Sequence, residues 1–204
     1  MPGTSLQRQR GALMIEILIT IAIIIIGLLG LMQVQTQLHK SEVESYQRTQ
    51  ALILLEDMAN RIATNRTAAA DYVTGTTTGL ESPQGAGITC ATPATTAPLD
   101  ERDEAEWCLA LQGAAETIGT SSVGALVGGR GCVEPIGTGG VEEYLVTVVW
   151  QGLTPIAAPP AGVACGANLY NAPAGSDCAD TVDKADFCRR YVTTIVRIAD
   201  LTDP

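Results

Sequence analysis

Residues 11–32 read GALMIEILITIAIIIIGLLGLM, an apolar run that contains a single ionisable side chain, Glu16. About 20 apolar residues suffice to cross a bilayer as one helix. A carboxylate inside such a run is costly, and it therefore marks a functional position. These residues predict a membrane-spanning helix with a functional carboxylate near its start.

The leader before this run, residues 1–11, carries Arg8 and Arg10 and no acidic residue. By the positive-inside rule, these charges keep the N-terminus in the cytoplasm, and the chain beyond Met32 faces outward. A secretory signal would carry a small-residue cleavage site after its apolar stretch, whereas the small residue Gly11 lies before it here. The alternative is a plain membrane anchor whose Glu16 lies near the lipid headgroups.

Arg10-Gly11, the apolar run and Glu16 at the fifth place after the glycine together resemble the type III signal of type IV prepilins. The resemblance implies that a membrane prepilin peptidase cleaves after Gly11 and that the new amino group of Ala12 is methylated. Phenylalanine is usual where Ala12 stands, and alanine is tolerated there in some members. The resemblance also implies a role for Glu16 in assembly, where a neighbouring subunit places its Ala12 amine against this carboxylate.

The composition is acidic. The chain has 204 residues and a formal net charge of −10, which becomes −12 once the leader with its two arginines is removed. Such a surface repels phosphate backbones, so nucleic acid is not expected as a direct partner. An indirect role in DNA uptake stays open.

Cysteine usage indicates an oxidising compartment, because all six cysteines lie beyond the apolar run and their number is even. Up to three disulfides are expected, and the sequence alone does not choose among the connectivities. The only histidine, His39, lies far from the cysteines and no C-x-x-C pair occurs, so neither a metal nor another cofactor is expected. The disulfide candidates are Cys90, Cys108, Cys132, Cys165, Cys178 and Cys188.

One long helix is predicted between Ala12 and Arg66, because no proline interrupts this range. Its first part, residues 12–33, forms the membrane and assembly segment. Its second part, residues 34–66, is amphipathic, and its apolar face is expected to pack on a sheet. Spacings of three and four residues give that face the side chains of Ala51, Leu55, Met58, Ala59 and Ile62.

Residues 67–204 are predicted to form the outer head domain. A second helix is expected to begin near Pro98-Leu99, with acidic residues at its solvated start and an apolar stripe along one side. That stripe consists of Trp107, Leu111, Ala114 and Ile118. Strands are predicted at 131–133, 144–150 and 190–198. Residues 67–98 and 152–187, which are rich in Gly, Pro, Thr and Ala, read as long loops.

The expected fold class is thus α+β, with a long N-terminal helix packed on a small antiparallel β-sheet and loops that are stapled by disulfides. We expect Cys90 to tether the first loop and Cys165 or Cys188 to link the second loop to the sheet. Cys108 is expected to bond to Cys132, which would tie the second helix to a strand.

The order of apolar helix, long loop and C-terminal antiparallel sheet is similar to that of type IV pilins. Residues 27–31 and 55–66, together with Asp103, Trp107 and Val149-Trp150, resemble the PilV branch of the minor pilins. The resemblance implies a subunit that joins other minor pilins and the major pilin in a tip complex, which primes pilus assembly and supports adhesion, twitching motility or a large tip adhesin. It also implies a single-pass inner-membrane precursor with a periplasmic head, which later enters the pilus.

Two alternatives stay open. A minor pseudopilin of a type II secretion system has a similar architecture. A membrane-anchored periplasmic enzyme is the remote alternative, because residues 67–204 contain no histidine for a catalytic triad and paired cysteines leave no thiolate nucleophile. We therefore predict that the chain is not an enzyme.

Overall fold

The computed structural model describes residues 10–75, 84–113, 117–118, 121–122, 126–137, 142–171, 178–179 and 186–199, with the backbone alone at 10–13, 117–118 and 121–122. The chain divides into two compact units, Met1–Val43 and Glu44–Pro204. Helix α1 spans Arg10–Thr64, so the predicted long helix is confirmed to within two residues at each end. Gly27 and Gly30 lie inside it, and a Cβ atom at either would meet nothing within 4 Å.

The first unit contains the apolar part of α1. Its large apolar side chains from Met14 to Leu38 are exposed. The helix is long and apolar enough to cross a membrane once, by its length and composition. This agrees with the predicted single-pass segment.

The second unit begins with the amphipathic part of α1, which buries the predicted face. Ala51, Leu55, Met58 and Ile62 are at most 3% exposed, and Ala59 packs against the same core. Their spacing brings all of them to one side of the helix, because three to four residues make one turn. This face is therefore the contribution of α1 to the main core.

The sheet that this face covers has four antiparallel strands. They are β1 (Gln84–Gly85), β4 (Arg130–Pro135), β5 (Glu142–Gln151) and β6 (Arg189–Ile198), in that spatial order. Val146 pairs with Val133 on one side and with Thr194 on the other, which fixes the register. A separate two-stranded sheet joins β2 (Thr117–Ile118) to β3 (Ser121–Ser122). The predicted α+β fold, a long helix on a small antiparallel sheet, is confirmed.

Helix α2 spans Leu99–Leu111 and begins after Pro98, as predicted. The predicted stripe was too long at its far end. Gly113 has φ of 81°, a left-handed conformation that terminates helices, and Ile118 lies in β2. Trp107 and Leu111 are fully buried, while Ala114 lies outside the described residues.

The two faces of the sheet are covered differently. Even-numbered residues of β5 face the core under α1, whereas Val149 belongs to a second cluster on the other face with Cys132, Cys165 and Tyr170. The Tyr170 hydroxyl donates to the Gly128 carbonyl at 2.7 Å, which holds the 152–171 segment against this second face. Of the described residues within 152–187, none forms a helix or strand, in agreement with the loop prediction.

The other predicted loop, 67–98, is partly wrong. A 3-10 helix spans Arg66–Tyr72 and buries Ala69 and Tyr72 in the main core, and β1 adds a short edge to the sheet. Small residues and a single aromatic anchor were enough for a short 3-10 helix to dock here. Residues 76–83 lie outside the described part of the chain.

The disulfides are Cys90–Cys108, Cys132–Cys165 and Cys178–Cys188. Cys90 therefore tethers the first loop, and Cys165 links the second loop to the sheet, as expected. The Cys108–Cys132 pair was wrong. Gly131 faces Trp107, since a Cβ atom there would lie 2.1 Å from the indole, so the next residue of the strand points to the opposite face. Cys165 lies on that face.

The Cys132–Cys165 bridge is expected to stabilise the chain more than Cys178–Cys188 does. Removing a native disulfide typically costs about 2–4 kcal/mol, and the cost grows with the length of the closed loop. The sequence separations are 33 and 10, so the Cys132→Ser/Cys165→Ser variant should lose about 1 kcal/mol more than Cys178→Ser/Cys188→Ser does. Urea unfolding, followed by fluorescence of the buried tryptophans, measures both variants, and equal losses would contradict the expectation.

Candidate functional site

The residues that the sequence analysis selected for processing and assembly lie close together at the start of α1. Gly11 and Ala12 are already helical, because α1 begins at Arg10. Ala12 and Glu16 are four residues apart and so lie one turn apart on the same side, about 6 Å along the axis. This short segment forms the candidate assembly site.

Glu16 is an exposed carboxylate among exposed apolar side chains. Within the described part of the chain it makes no ion pair or hydrogen bond. By contrast, the Thr20 hydroxyl one turn later donates to the Ile17 carbonyl at 2.8 Å and so needs no outside partner. Glu16 is therefore the one polar side chain between Met14 and Met32 that would need a partner in a dry environment.

The head contains a network of charged groups that joins α1 to α2. Arg61 on α1 donates from Nη1 to Asp103 at 2.6 Å and to Glu106 at 2.9 Å, and from Nε to Asp57 at 3.0 Å. Asp103 is 8% exposed, so its charge requires such a partner. The network therefore links α2 to α1 through Arg61.

Tyr72 closes this network from the 3-10 helix. Its hydroxyl donates to Oδ2 of Asp103 at 2.5 Å and accepts from the Asn65 amide at 3.2 Å. Burial, followed by the hydrogen bond to Asp103, raises the pKa of Tyr72 to about 12. The phenol therefore stays protonated and remains a donor at every physiological pH, which indicates a structural role.

Trp107 anchors α2 directly on α1. Its ring is fully buried and its Nε1 donates to the Leu54 carbonyl at 2.9 Å. A mid-helix carbonyl is already bonded within α1, so this is an additional bond that only a close approach allows. Gly131 provides that approach, because any side chain at 131 would collide with the indole.

At the acidic start of α2, the surroundings of Glu104 disfavour its ionised form. Burial, with repulsion from Asp100 and Glu101, raises the pKa of Glu104 to about 7. No group of three or more His, Cys, Asp or Glu residues in the described segments could hold a metal ion. The raised pKa of Glu104 makes the free energy of unfolding depend on pH.

Stability is expected to fall as the pH rises from about 4.5, the ordinary value for glutamate, to about 7, because the unfolded chain releases this proton first. Above pH 7, Glu104→Gln should raise the free energy of unfolding by about 1–2 kcal/mol, less than the full shift because the side chain is partly solvated. Urea unfolding at pH 5 and pH 8 measures the effect. Glu56→Gln, at an exposed position of α1, is the matched control, and an equal gain in both variants would contradict the assignment to Glu104.

The sequence analysis missed the Arg61–Asp103 pair. One signal was available, since Asp103 precedes Trp107 by four residues and must share its buried side of α2. A buried carboxylate calls for a cation, yet several arginines could have supplied it. The separation of 42 residues between the two partners is invisible to local periodicity.

Comparison of the chain with protein-family models, with curated proteins and with solved structures returned no match.

Proposed function

We propose that the chain is a minor pilin of a type IV pilus, which a prepilin peptidase cleaves after Gly11 and which joins other minor pilins and the major pilin in a tip complex. The observation that carries the proposal is Glu16, the one carboxylate of the apolar run, one turn after the expected new N-terminus. The basic leader and Gly11 before the run support the same interpretation, as does the α+β head that follows it.

The proposed mechanism follows from the electrostatics of this segment. Cleavage would create an amino-terminal cation on Ala12. A carboxylate or a cation alone is expensive in hydrocarbon, while the two together are nearly neutral. A subunit that enters an assembly would therefore satisfy its own Glu16 with the Ala12 amine of a neighbour, and the pairing would fix the axial offset between the two helices.

The head would supply the contacts that distinguish this subunit from its neighbours. Three disulfides and the Arg61 network would keep its surface in one shape in an oxidising compartment. A rigid head suits a subunit that contacts a few specific partners, which would include a large tip adhesin. Before assembly the chain would reside in the inner membrane with its head in the periplasm.

Deletion of the gene tests the proposal. Pili visible by electron microscopy and twitching motility should both fall severely, while secretion of exoproteins through the type II pathway stays normal. Complementation with the wild-type gene should restore piliation. Loss of secretion with normal pili would instead assign the chain to a secretion pseudopilin, and an unchanged phenotype in both assays would contradict an assembly role.

A further inference from the structure

Strand β6 forms one end of the four-stranded sheet, and within the described part of the chain no strand pairs with its outer edge. The spatial order is β1, β4, β5 and β6, and no described strand lies beyond β6. β6 is ten residues long and contains no proline. Long open edges are unusual in secreted domains, because their unpaired N–H and C=O groups invite pairing with another chain.

The register shows which backbone groups are open. The Gly152 N–H donates to the Cys188 carbonyl at 2.8 Å, one rung beyond the Gln151–Arg189 pair. Because pairing alternates along an antiparallel ladder, even-numbered residues of β6 bond to β5 and odd-numbered ones point outward. The outward groups include those of Tyr191, Thr193 and Ile195.

The described chain uses this outer edge only before β6 and at its first residue, Arg189. Ile156 donates its N–H to the Phe187 carbonyl at 2.9 Å, and Arg189 donates to the Asp186 carbonyl at 3.0 Å. Among the described residues, no hydrogen bond reaches the outward backbone groups of Tyr191, Thr193 or Ile195. The side chains of Tyr191 and Ile195 are also exposed.

A groove of about 480 Å³ lies beside the first half of this edge, between α1 and β6. Leu52 and Ile156 give it apolar walls, and Arg48 gives it a charge. Arg190, which also lines it, is engaged by Glu44 at 3.2 Å and by the Thr154 carbonyl at 2.6 Å. Arg48 is exposed and makes no ion pair within the described part of the chain.

We propose that the β6 edge is a docking site for an extended segment of a different protein, which adds a fifth antiparallel strand and places a carboxylate against Arg48. Backbone groups of the added strand would pair with Tyr191, Thr193 and Ile195, and its alternate side chains would enter the groove beside Leu52. This inference depends on the head alone and does not rest on the proposed function.

The charges select a different protein over a second copy. β6 carries three arginines and no acidic residue. Arg189 and Arg197 are already engaged by Asp186 and Glu143. Antiparallel pairing of two copies through β6 would therefore bring no carboxylate to Arg48. A strand that carries a carboxylate could instead pair with Arg48, which has no ion-pair partner among the described residues.

The test uses the full-length chain in detergent micelles and amide-resolved hydrogen exchange. The probe is an amidated eight-residue peptide of alternating valine and threonine, with one glutamate near its C-terminal end, which an antiparallel strand brings to the start of β6. We expect the peptide to slow exchange at Tyr191, Thr193 and Ile195 by about tenfold or more, as a new ladder hydrogen bond would. Val192 and Thr194, already bonded to β5, are the internal controls.

Matched peptides and variants separate the contributions. Glutamine in place of the glutamate should weaken binding about two- to fivefold, and Arg48→Glu should make a lysine peptide bind better than the glutamate peptide. Thr193→Pro removes one outward N–H at a position where an edge strand tolerates proline, and should weaken binding about tenfold. Thr193→Val keeps the N–H and should bind as the wild type does.

Four results would overturn the inference. The outward amides could already be protected in the free chain, which would mean that the chain covers its own edge. Their protection could rise with protein concentration alone, which would assign the edge to a second copy. A peptide N-methylated on alternate amides could bind as well as the parent, or no peptide could protect these amides at millimolar concentration.

Discussion

Gly11→Val is expected to leave the uncleaved precursor in the membrane, with near-complete loss of the mature form. In the proposed processing, a peptidase would bring its catalytic groups to the peptide bond between Gly11 and Ala12, and a β-branched side chain would obstruct the backbone there. The variant should still insert, because insertion requires only the apolar run. Immunoblotting of membrane fractions separates the two forms by the mass of the leader.

Gly27→Ala is the matched control for this variant. It also changes a glycine of α1, at a position where a Cβ atom meets nothing within 4 Å. Its processing should be normal. If the Gly11 variant yields as much mature chain as the control does, the cleavage site is wrong and the plain membrane anchor becomes the better interpretation of the leader.

The second large effect is expected at Glu16. Glu16→Val should insert and be cleaved normally, yet the variant should be nearly absent from sheared pili. Removal of the carboxylate lowers the cost of the helix in lipid, so a defect cannot come from insertion. In the proposed pairing, the variant would lack the partner for the Ala12 amine of a neighbouring subunit, which would then remain an uncompensated cation.

Thr20→Val tests whether any polar residue of the apolar run is needed. The Thr20 hydroxyl already bonds to the Ile17 carbonyl within the helix, so its removal should leave incorporation into pili unchanged. Fractionation of sheared pili, with membrane-bound subunit as reference, measures both variants. Normal incorporation of the Glu16 variant would refute the pairing mechanism even if the cleavage site proves correct.

The elements that the sequence predicted well are those with a strong local period. The apolar face at Ala51, Leu55, Met58 and Ile62 follows the helical repeat, and β6 alternates between buried Val192 and Val196 and exposed residues. In both cases the periodicity reports directly on one buried side. Bounds were therefore accurate to one or two residues for α1 and β6.

The features that the sequence did not predict depend on distant partners. The predicted Cys108–Cys132 pair was wrong because strand alternation turns Cys132 away from α2 and towards Cys165. The 3-10 helix carries too few large side chains for a periodic signal, and only the burial of Tyr72 in the core explains why it is ordered. Such features emerge only when the sheet and both helices are placed together.

The candidate assembly site also combines a feature that local sequence predicts with one that depends on a distant partner. Local order alone placed Ala12 and Glu16 one turn apart, and the continuous α1 agrees with that spacing. The role that we propose for them depends on a second subunit, so no single chain can display it.

The most direct test of the central claim is the intact mass of this chain when it is recovered from sheared, purified pili. A minor pilin should be present there, should begin at Ala12 and should carry one additional methyl group on its amino terminus, with all six cysteines oxidised. A chain that still begins at Met1, or one that remains in the membrane and is absent from pili that assemble normally, would contradict the proposal.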